Sequence, residues 1–169
     1  PPAERLAGFV GWFVFEADAA DREAFHIALL ELRTQGPFNE RIREQLVRSD
    51  RLLRGTVADI LESGIDAGVF REVDVDETAA LIVATLDGAR TRQITLTGGE
   101  AQGDAASEGE AGSETDAPAT AEGLPEPTYT RLVAEATLRR IVEPLLAEGA
   151  ELPALEDGIG VMTRDDEPE

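Results

Sequence analysis

Glu23 and His26 are the pair of residues whose spacing best suits a metal site. A Glu-x-x-His motif places both side chains on one helical face, and di-iron four-helix proteins use two such motifs with two further glutamates. His26 is the only histidine, so one chain cannot build that symmetric site. A histidine beside Phe25 more often packs in a core or lines a cavity, where it could hydrogen-bond a ligand. We predict no metal and no cofactor, and keep a metal-dependent four-helix protein as the weakest alternative.

The residues for other enzymatic chemistries are missing. A hydrolytic triad needs a base that orients a nucleophile, and no Gly-x-Ser-x-Gly motif accompanies the single imidazole. The Gly98-Gly99 pair lies in low-complexity sequence rather than after a strand, which argues against a phosphate-binding loop. The absence of Cys excludes disulfides and thiolate ligands. We therefore predict that the chain is not an enzyme.

The net charge of −20 comes from 35 acidic and 15 basic residues, and every basic residue is arginine. Phosphate contacts need clustered positive charge, but the arginines between residues 41 and 54 alternate with Glu and Asp, as in intrahelical ion pairs. We predict no direct DNA contact by this chain. An acidic surface without lysine favours a halophilic source, because molar salt screens like-charge repulsion. The alternative is a GC-rich genome, whose codons favour Arg over Lys.

Two features that the sequence lacks bear on the location of the protein in the cell. No apolar run approaches the roughly 20 residues of a membrane span. The opening PPAERLAG lacks the basic segment of a signal peptide. We predict a cytoplasmic chain with no membrane partner. Because the chain starts without Met, and proline is favoured at the first position of a helix, we also expect a fragment cut near a helix start.

Apolar spacing predicts five helices and no strand. The predicted helices span residues 3–17, 21–34, 40–67, 74–96 and 128–148. Asn39 is expected to cap the third helix and Gly68 to end it in a left-handed conformation. Asp74 and Glu77 form a variant capping box for the fourth, and Pro144 should kink or shorten the fifth. The predicted fold is all-α, an antiparallel bundle of about five helices.

Aromatic residues concentrate in the first 38 positions, at 9, 12, 13, 15, 25 and 38. An ordinary core and an apolar ligand cavity between helices explain this concentration equally well. In such a cavity a few polar groups would orient the ligand. In the second case the ligand is a small apolar or amphipathic effector. Its predicted contacts are Phe9, Trp12, Phe13, Phe25, His26, Leu29, Arg33, Phe38, Leu53 and Val57.

The fourth predicted helix is apolar almost all round over residues 79–86, and small residues at 84, 88 and 89 would allow close approach of another helix. Two copies of the chain could cover this helix and the fifth in a four-helix interface. The alternative is that both helices are central in a monomer. The predicted dimer interface consists of Ile82, Val83, Leu86, Ala89, Leu132, Val133, Ala136 and Ile141.

Between Gly98 and Gly123 the sequence has acidic residues, no basic ones and no bulky apolar ones. Such a segment cannot bury enough surface to offset its ordering entropy, so we predict disorder. The predicted organisation has four parts: residues 1–97 form a helical ligand-sensing core with the first dimerisation helix, 98–125 a disordered acidic linker, 126–150 the second dimerisation helix, and 151–169 an acidic tail.

Three stretches resemble the C-terminal domains of TetR-type transcriptional regulators. They are FHIALLEL at 25–32 with PFN at 37–39, GIDAGVF at 64–70, and AAL at 79–81 with LDG at 86–88. The resemblance covers residues 25–96 and, more loosely, 129–146. It implies an all-helical ligand-binding core, a homodimer formed through the last two long helices, and effector binding that changes DNA affinity. The acidic segment departs from the family's usual short connector.

In that family a helix-turn-helix domain precedes this region, and nothing in the present sequence corresponds to it. The expected function is therefore effector binding and dimerisation in a ligand-responsive regulator, with DNA bound through that separate domain. An effector would shift the dimer between two separations of the DNA-reading domains. The alternative is a helical interaction or structural module without a ligand, which a well-filled space between the first three helices would favour.

Overall fold

The computed structural model describes residues 1–13, 19–97 and 128–155. Five α-helices run through these ranges: α1 Pro2–Trp12, α2 Ala19–Gln35, α3 Glu40–Asp66, α4 Val75–Thr97 and α5 Thr128–Thr137. A π-helical turn, Leu138–Val142, and a 3-10 turn, Glu143–Leu145, continue α5. Within the described ranges the one strand-like pairing is an isolated antiparallel bridge between Phe70 and Leu146.

The all-α prediction is confirmed, and the bounds of α2, α3 and α4 lie within two residues of the predicted ones. The largest difference is at α5, which ends at Thr137 rather than near residue 148. Helix α1 ends at Trp12 rather than near residue 17, and residues 14–18 lie outside the described part. The predicted disordered linker and most of the predicted acidic tail also lie outside the described residues.

Two of the helix starts form as predicted, because their capping groups are local. The Asn39 side-chain oxygen accepts a hydrogen bond from the Ile42 N–H at 3.3 Å, and the Asp74 carboxylate accepts one from the Glu77 N–H at 2.9 Å. Each cap satisfies one of the backbone donors that a helix start leaves without an intrahelical partner.

The GIDAGVF segment forms the turn that ends α3. Gly68 has φ +69°, the left-handed conformation that costs an L-residue about 1 kcal/mol or more. The backbone N–H groups of Val69 and Phe70 then both donate to the Gly64 carbonyl, at 2.8 and 3.0 Å. This brings the Phe70 ring back over Gly64, in the space that a Cβ atom at position 64 would occupy.

The chain beyond α5 is attached to this same turn. Pro144 lacks an N–H and would clash with the carbonyl four residues earlier in a regular helix, so the α-helix gives way to the wider π turn before it. The following segment pairs with the α3–α4 turn: Arg71 N–H donates to the Leu145 carbonyl at 2.8 Å and Ala147 N–H to the Val69 carbonyl at 2.9 Å. The prediction that Pro144 shortens the fifth helix is confirmed.

The buried core lies between α1, α3, α4 and α5, and no residue from 24 to 35 of α2 is buried. Its largest fully enclosed apolar side chains are Leu6, Phe9, Val10, Val57, Ile60, Leu61, Ile82, Leu86 and Val142. Helix α2 packs instead along α3 and α4 at the edge of this core. Over residues 24–35 it therefore supplies fewer buried apolar side chains to the core than the other helices do.

Substitution of Gly64 by alanine tests the close approach of Phe70. The added methyl group overlaps the Phe70 ring, which is 3% exposed and cannot swing into solvent without leaving the core. Overpacking of this kind costs about 1–3 kcal/mol, which exceeds the gain of about 1 kcal/mol in helix propensity. We expect Gly64→Ala to lower the free energy of unfolding measured by urea denaturation.

The matched control is Gly55→Ala in the same helix. A Cβ atom at Gly55 meets no other atom within 4 Å, so only the propensity term operates and the variant should gain about 0.5–1 kcal/mol. If both alanine variants changed stability in the same direction, the packing of Phe70 on Gly64 would not be the constraint described above.

Candidate functional site

Three of the predicted ligand contacts are buried in the core. Phe9 is 2% exposed, Phe13 7% and Val57 0%, and Leu53 packs against them from the edge. The Phe9 and Phe13 rings lie 5.5 Å apart in a tilted arrangement, which is ordinary aromatic packing. These four side chains build the core that supports the first helix. A ligand contact by any of them stays a prediction.

Three further predicted contacts are exposed aromatic residues on different parts of the surface. Trp12 is 42% exposed at the end of α1 and has its ring 5.2 Å from Phe13. Phe25 is 62% exposed and stacks edge-on against His26 at 5.2 Å. Phe38, in the α2–α3 turn, is 91% exposed. A ligand contact by any of these three exposed side chains stays a prediction.

An open groove does exist between α2 and the first half of α3. Its volume is about 600 Å³, within the range of small-molecule sites. The residues lining this α2–α3 groove are Leu29, Leu32, Asn39, Arg41, Ile42, Gln45, Leu46 and Ser49. Leu29 is the one residue of this set that also belongs to the predicted ligand contacts.

Helical geometry divides the groove into an apolar floor and a polar side. Leu29 and Leu32 of α2 face Ile42 and Leu46 of α3 across the floor. The α3 residues Arg41, Gln45 and Ser49 recur every four positions and form the polar side. The helices meet tightly at the closed end, where a Cβ atom on Gly36 would lie 3.0 Å from the Leu46 side chain.

Arg33, one of the polar residues predicted to contact a ligand, points to α4. Its guanidinium donates to the Asp87 carboxylate at 2.7 Å and to the Thr91 hydroxyl at 3.4 Å. Both charged side chains are about one third exposed, at 34% and 35%. This pair joins the helix that forms one wall of the groove to the middle of α4.

A side chain of α4 caps the start of α5. The Gln93 side-chain oxygen of α4 accepts hydrogen bonds from the backbone N–H groups of Tyr129 and Thr130, at 3.1 and 3.2 Å. Gln93 and Thr130 are both buried. The Arg92 guanidinium lies 5.8 Å from the centre of the Tyr129 ring. The amide of α4 thus caps α5 in the way that a local Asn or Ser caps other helices.

The predicted dimer residues divide between the core and the surface. Ile82, Val83, Leu86 and Ala89 are buried within the single chain, because this side of α4 packs on α3 and α5. On α5, Leu132 is 58% exposed. Val133, Ala136 and Ile141 are half-buried. Contact of these eight residues with a second copy stays a prediction.

The exposed side of α4 carries a stripe that the interface prediction did not include. Its members recur at three- and four-residue spacing and are all exposed: Leu81, Ala84, Gly88, Arg92 and Thr95. A Cβ atom at Gly88 would meet no other atom within 4 Å. We call this set, together with Leu132 of α5, the α4–α5 face.

The described residues contain no group of three or more His, Cys, Asp or Glu side chains that could hold a metal ion. Among the described helices, none combines the length and apolarity needed to cross a bilayer.

Several residues of the groove were missed because the sequence emphasises the aromatic cluster. A signal was available: the pairs Leu29–Leu32 and Ile42–Leu46 flank the α2–α3 turn at helical spacing, which predicts that they face each other. Nothing local pointed to the Arg33–Asp87 pair, whose partners are 54 positions apart.

A double-mutant cycle of Arg33→Ala and Asp87→Ala tests whether the pair ties α2 to α4. We expect a coupling energy of about 0.5–1 kcal/mol from urea denaturation, decreasing as salt is added, because both groups are partly exposed. The exposed pair Arg54–Asp50 within α3 is the control, with about 0.3–0.5 kcal/mol expected. A coupling of zero between Arg33 and Asp87 would mean that α2 is held by its apolar contacts alone.

Comparison with protein families shows where the chain belongs. A family model of TetR-type C-terminal domains, described as the C-terminal domain of BetI-type transcriptional repressors, matches residues 2–111. The matched region contains α1 to α4, and thus both walls of the α2–α3 groove. No curated protein and no solved structure matches the chain. Because the match extends over well over half of the sequence, the chain belongs to the TetR family of transcriptional regulators, as a C-terminal regulatory domain of the BetI repressor type.

Proposed function

We propose that the chain is the effector-binding and dimerisation domain of a ligand-responsive transcriptional regulator, and that it acts in the cytoplasm as a homodimer. Its effector is a small apolar or amphipathic molecule. DNA is bound through a helix-turn-helix domain rather than through these residues. The observation that carries the proposal is the α2–α3 groove, whose α2 wall is joined to α4 by Arg33 and Asp87.

The properties of α2 support a role as the moving wall of the site. No residue from 24 to 35 is buried, whereas α1, α3, α4 and α5 each supply fully buried side chains to the core. Elements with few buried apolar contacts move at the lowest free-energy cost, and ligand sites use such elements. A molecule inserted between Leu32 and Leu46 therefore acts on a helix whose residues 24–35 supply no buried side chain to the core.

A shift of α2 is transmitted to α4 through a direct contact. Arg33 reaches Asp87 and Thr91, one turn apart on α4. Gly88 and Arg92, each adjacent to one of these partners in sequence, lie on the α4–α5 face. Effector binding thus favours one arrangement of α2 relative to α4, and in a dimer formed through this face it changes the relation between the two subunits.

The α4–α5 face suits a helix–helix interface between two copies. Ala84 and Gly88 are small and exposed, so a second helix can approach the α4 backbone closely, while Leu81 and Leu132 are exposed apolar side chains on either side. Pairing of two helices from each copy gives a four-helix interface with two-fold symmetry. None of the described residues that line the α2–α3 groove belongs to this face.

We also propose that the domain has no catalytic activity. The one imidazole of the chain, His26, is adjacent to the Phe25 ring on α2. General acid–base catalysis at a cleft would need titratable groups that converge there. The described residues lining the α2–α3 groove include Arg41 but no Asp, Glu or His.

Binding of N-phenyl-1-naphthylamine, an uncharged dye that fluoresces in apolar surroundings, tests the effector site. We expect wild-type protein to bind the dye and Leu32→Gln to weaken binding about tenfold, because Leu32 supplies apolar surface to the groove. Leu52→Gln is the control, since Leu52 is 72% exposed on α3 and does not line the groove. Equal dye binding by all three proteins would remove the groove as the effector site and favour an interaction module without a ligand.

The oligomeric state of Gly88→Gln tests the dimer. The substitution adds a side chain where the single chain leaves open space, so the fold should be retained while close helix approach is blocked. We expect sedimentation to show a dimer for the wild type and at least a roughly tenfold weaker one for the variant, corresponding to about 1.4 kcal/mol.

Gly55→Gln serves as the control for the dimer experiment. It also replaces a glycine with open space around it, but on α3. The proposal predicts that its dimer remains as strong as the wild type. A monomeric wild-type chain, or equal dissociation of both variants, would contradict an interface at the α4–α5 face.

A further inference from the structure

We propose that the α2–α3 groove selects an amphipathic molecule with a singly charged anionic head group, such as a carboxylate, and that Arg41 binds the head. The apolar tail lies along Leu29, Leu32, Ile42 and Leu46. This inference rests on the proposed function, because it names the chemical class of the effector. It is argued from the floor, the polar side and the charges of the groove.

The floor of the groove accounts for the tail. Two leucines from α2 and the pair Ile42 and Leu46 from α3 form a continuous apolar surface between the helices. Transfer of a chain of methylene groups from water to such a surface is favourable by about 0.8 kcal/mol for each group fully buried. The volume of about 600 Å³ leaves room for a tail of several such groups.

The polar side accounts for the head group. Arg41, Gln45 and Ser49 follow one another along α3, and each carries at least one hydrogen-bond donor. Among the described residues that line the groove, none is Asp or Glu, although the chain has 35 acidic residues against 15 basic ones. The immediate surroundings of a bound molecule thus offer one positive charge and several donors. A carboxylate matches that set, whereas an ammonium head would face an uncompensated guanidinium.

Arg41 is the arginine among the described lining residues, and unlike Arg43 and Arg54 of the same helix it has its charge available. Arg54 is paired with Asp50 at 2.8 Å, and Arg43 donates to the Gly36 carbonyl at 3.3 Å. Arg41 forms no ion pair with any residue in the described part of the chain. The residue four positions after it is the neutral Gln45, and Glu44, three positions after it, forms no ion pair with it.

The net charge of −20 opposes the approach of an anion, but this opposition is weak at the groove. At physiological ionic strength charges are screened beyond about 8 Å, so a bound head group responds mainly to the nearest side chains. Of the described residues that line the groove, Arg41, Gln45 and Ser49 supply the charge and the donors, while Glu40 and Glu44, which flank Arg41 on α3, do not line it. Added salt should therefore weaken the contribution of Arg41 while leaving the apolar contribution of the tail in place.

Calorimetric titration with three probes of equal tail length tests the proposal: octanoate, 1-octanol and octyltrimethylammonium. Wild-type protein should bind octanoate more tightly than the other two. Arg41→Gln should weaken octanoate binding about tenfold, the usual scale for loss of a charge-assisted hydrogen bond, and leave 1-octanol unchanged. Arg51→Gln, which removes a charge from α3 outside the groove, should bind all probes as the wild type does. Leu32→Gln should weaken all three.

The outcomes separate this inference from the proposed function. If octanoate and 1-octanol bind equally and Arg41→Gln changes neither, the anionic class is wrong while the groove remains a ligand site. The anionic class is also wrong if the protein prefers octyltrimethylammonium. It is wrong too if Arg41→Gln and Arg51→Gln weaken octanoate binding equally. If no probe binds and the uncharged dye does not bind either, both the inference and the effector role fail together. Denaturation curves of each variant show whether its fold is retained.

Discussion

The contact of Phe70 with Gly64 is the constraint on which the rest of the domain depends. It requires the Gly64 position to lack a side chain and the chain to turn through the left-handed Gly68 immediately after α3. The turn sets the direction in which α4 leaves, and its next backbone groups pair with the segment after α5. One close approach therefore positions the end of α3, the start of α4 and the end of the fifth helix relative to one another, with Phe70 buried among them.

Helix α2 stands in contrast to this closely packed region. The groove lies on one side of α2 and a partly exposed ion pair with α4 on the other. None of the side chains of residues 24–35 is buried. The domain thus combines a core in which small volume changes are costly with one helix whose position depends on modest, separable contacts. That division suits a molecule that must keep its fold while one element changes position.

Local features of the structure could be predicted from the sequence, and long-range ones could not. The caps at Asn39 and Asp74 and the left-handed Gly68 were correct because each depends on residues within one turn. The aromatic residues were harder to assign, because an apolar residue has the same periodicity whether it faces a core, a cavity or solvent. Phe9 and Phe25 are both phenylalanines in predicted helices, yet one is 2% and the other 62% exposed. Pairing of Arg33 with Asp87 depends on how α2 crosses α4, which no local pattern specifies.

The capping of α5 by Gln93 has a consequence for how this domain can vary. Most helices begin where their own sequence supplies a cap. An insertion or deletion upstream therefore leaves the helix start unchanged only if the capping residue stays next to the helix. Here the hydrogen-bond acceptor is Gln93 of α4. It binds the backbone N–H groups of Tyr129 and Thr130 whatever the path of the connecting chain. The cost of closing a connection rises only slowly with its length. The residues between α4 and α5 therefore do not define where α5 begins. The length and composition of this segment can diverge among descendants of one ancestor without a change in helix register.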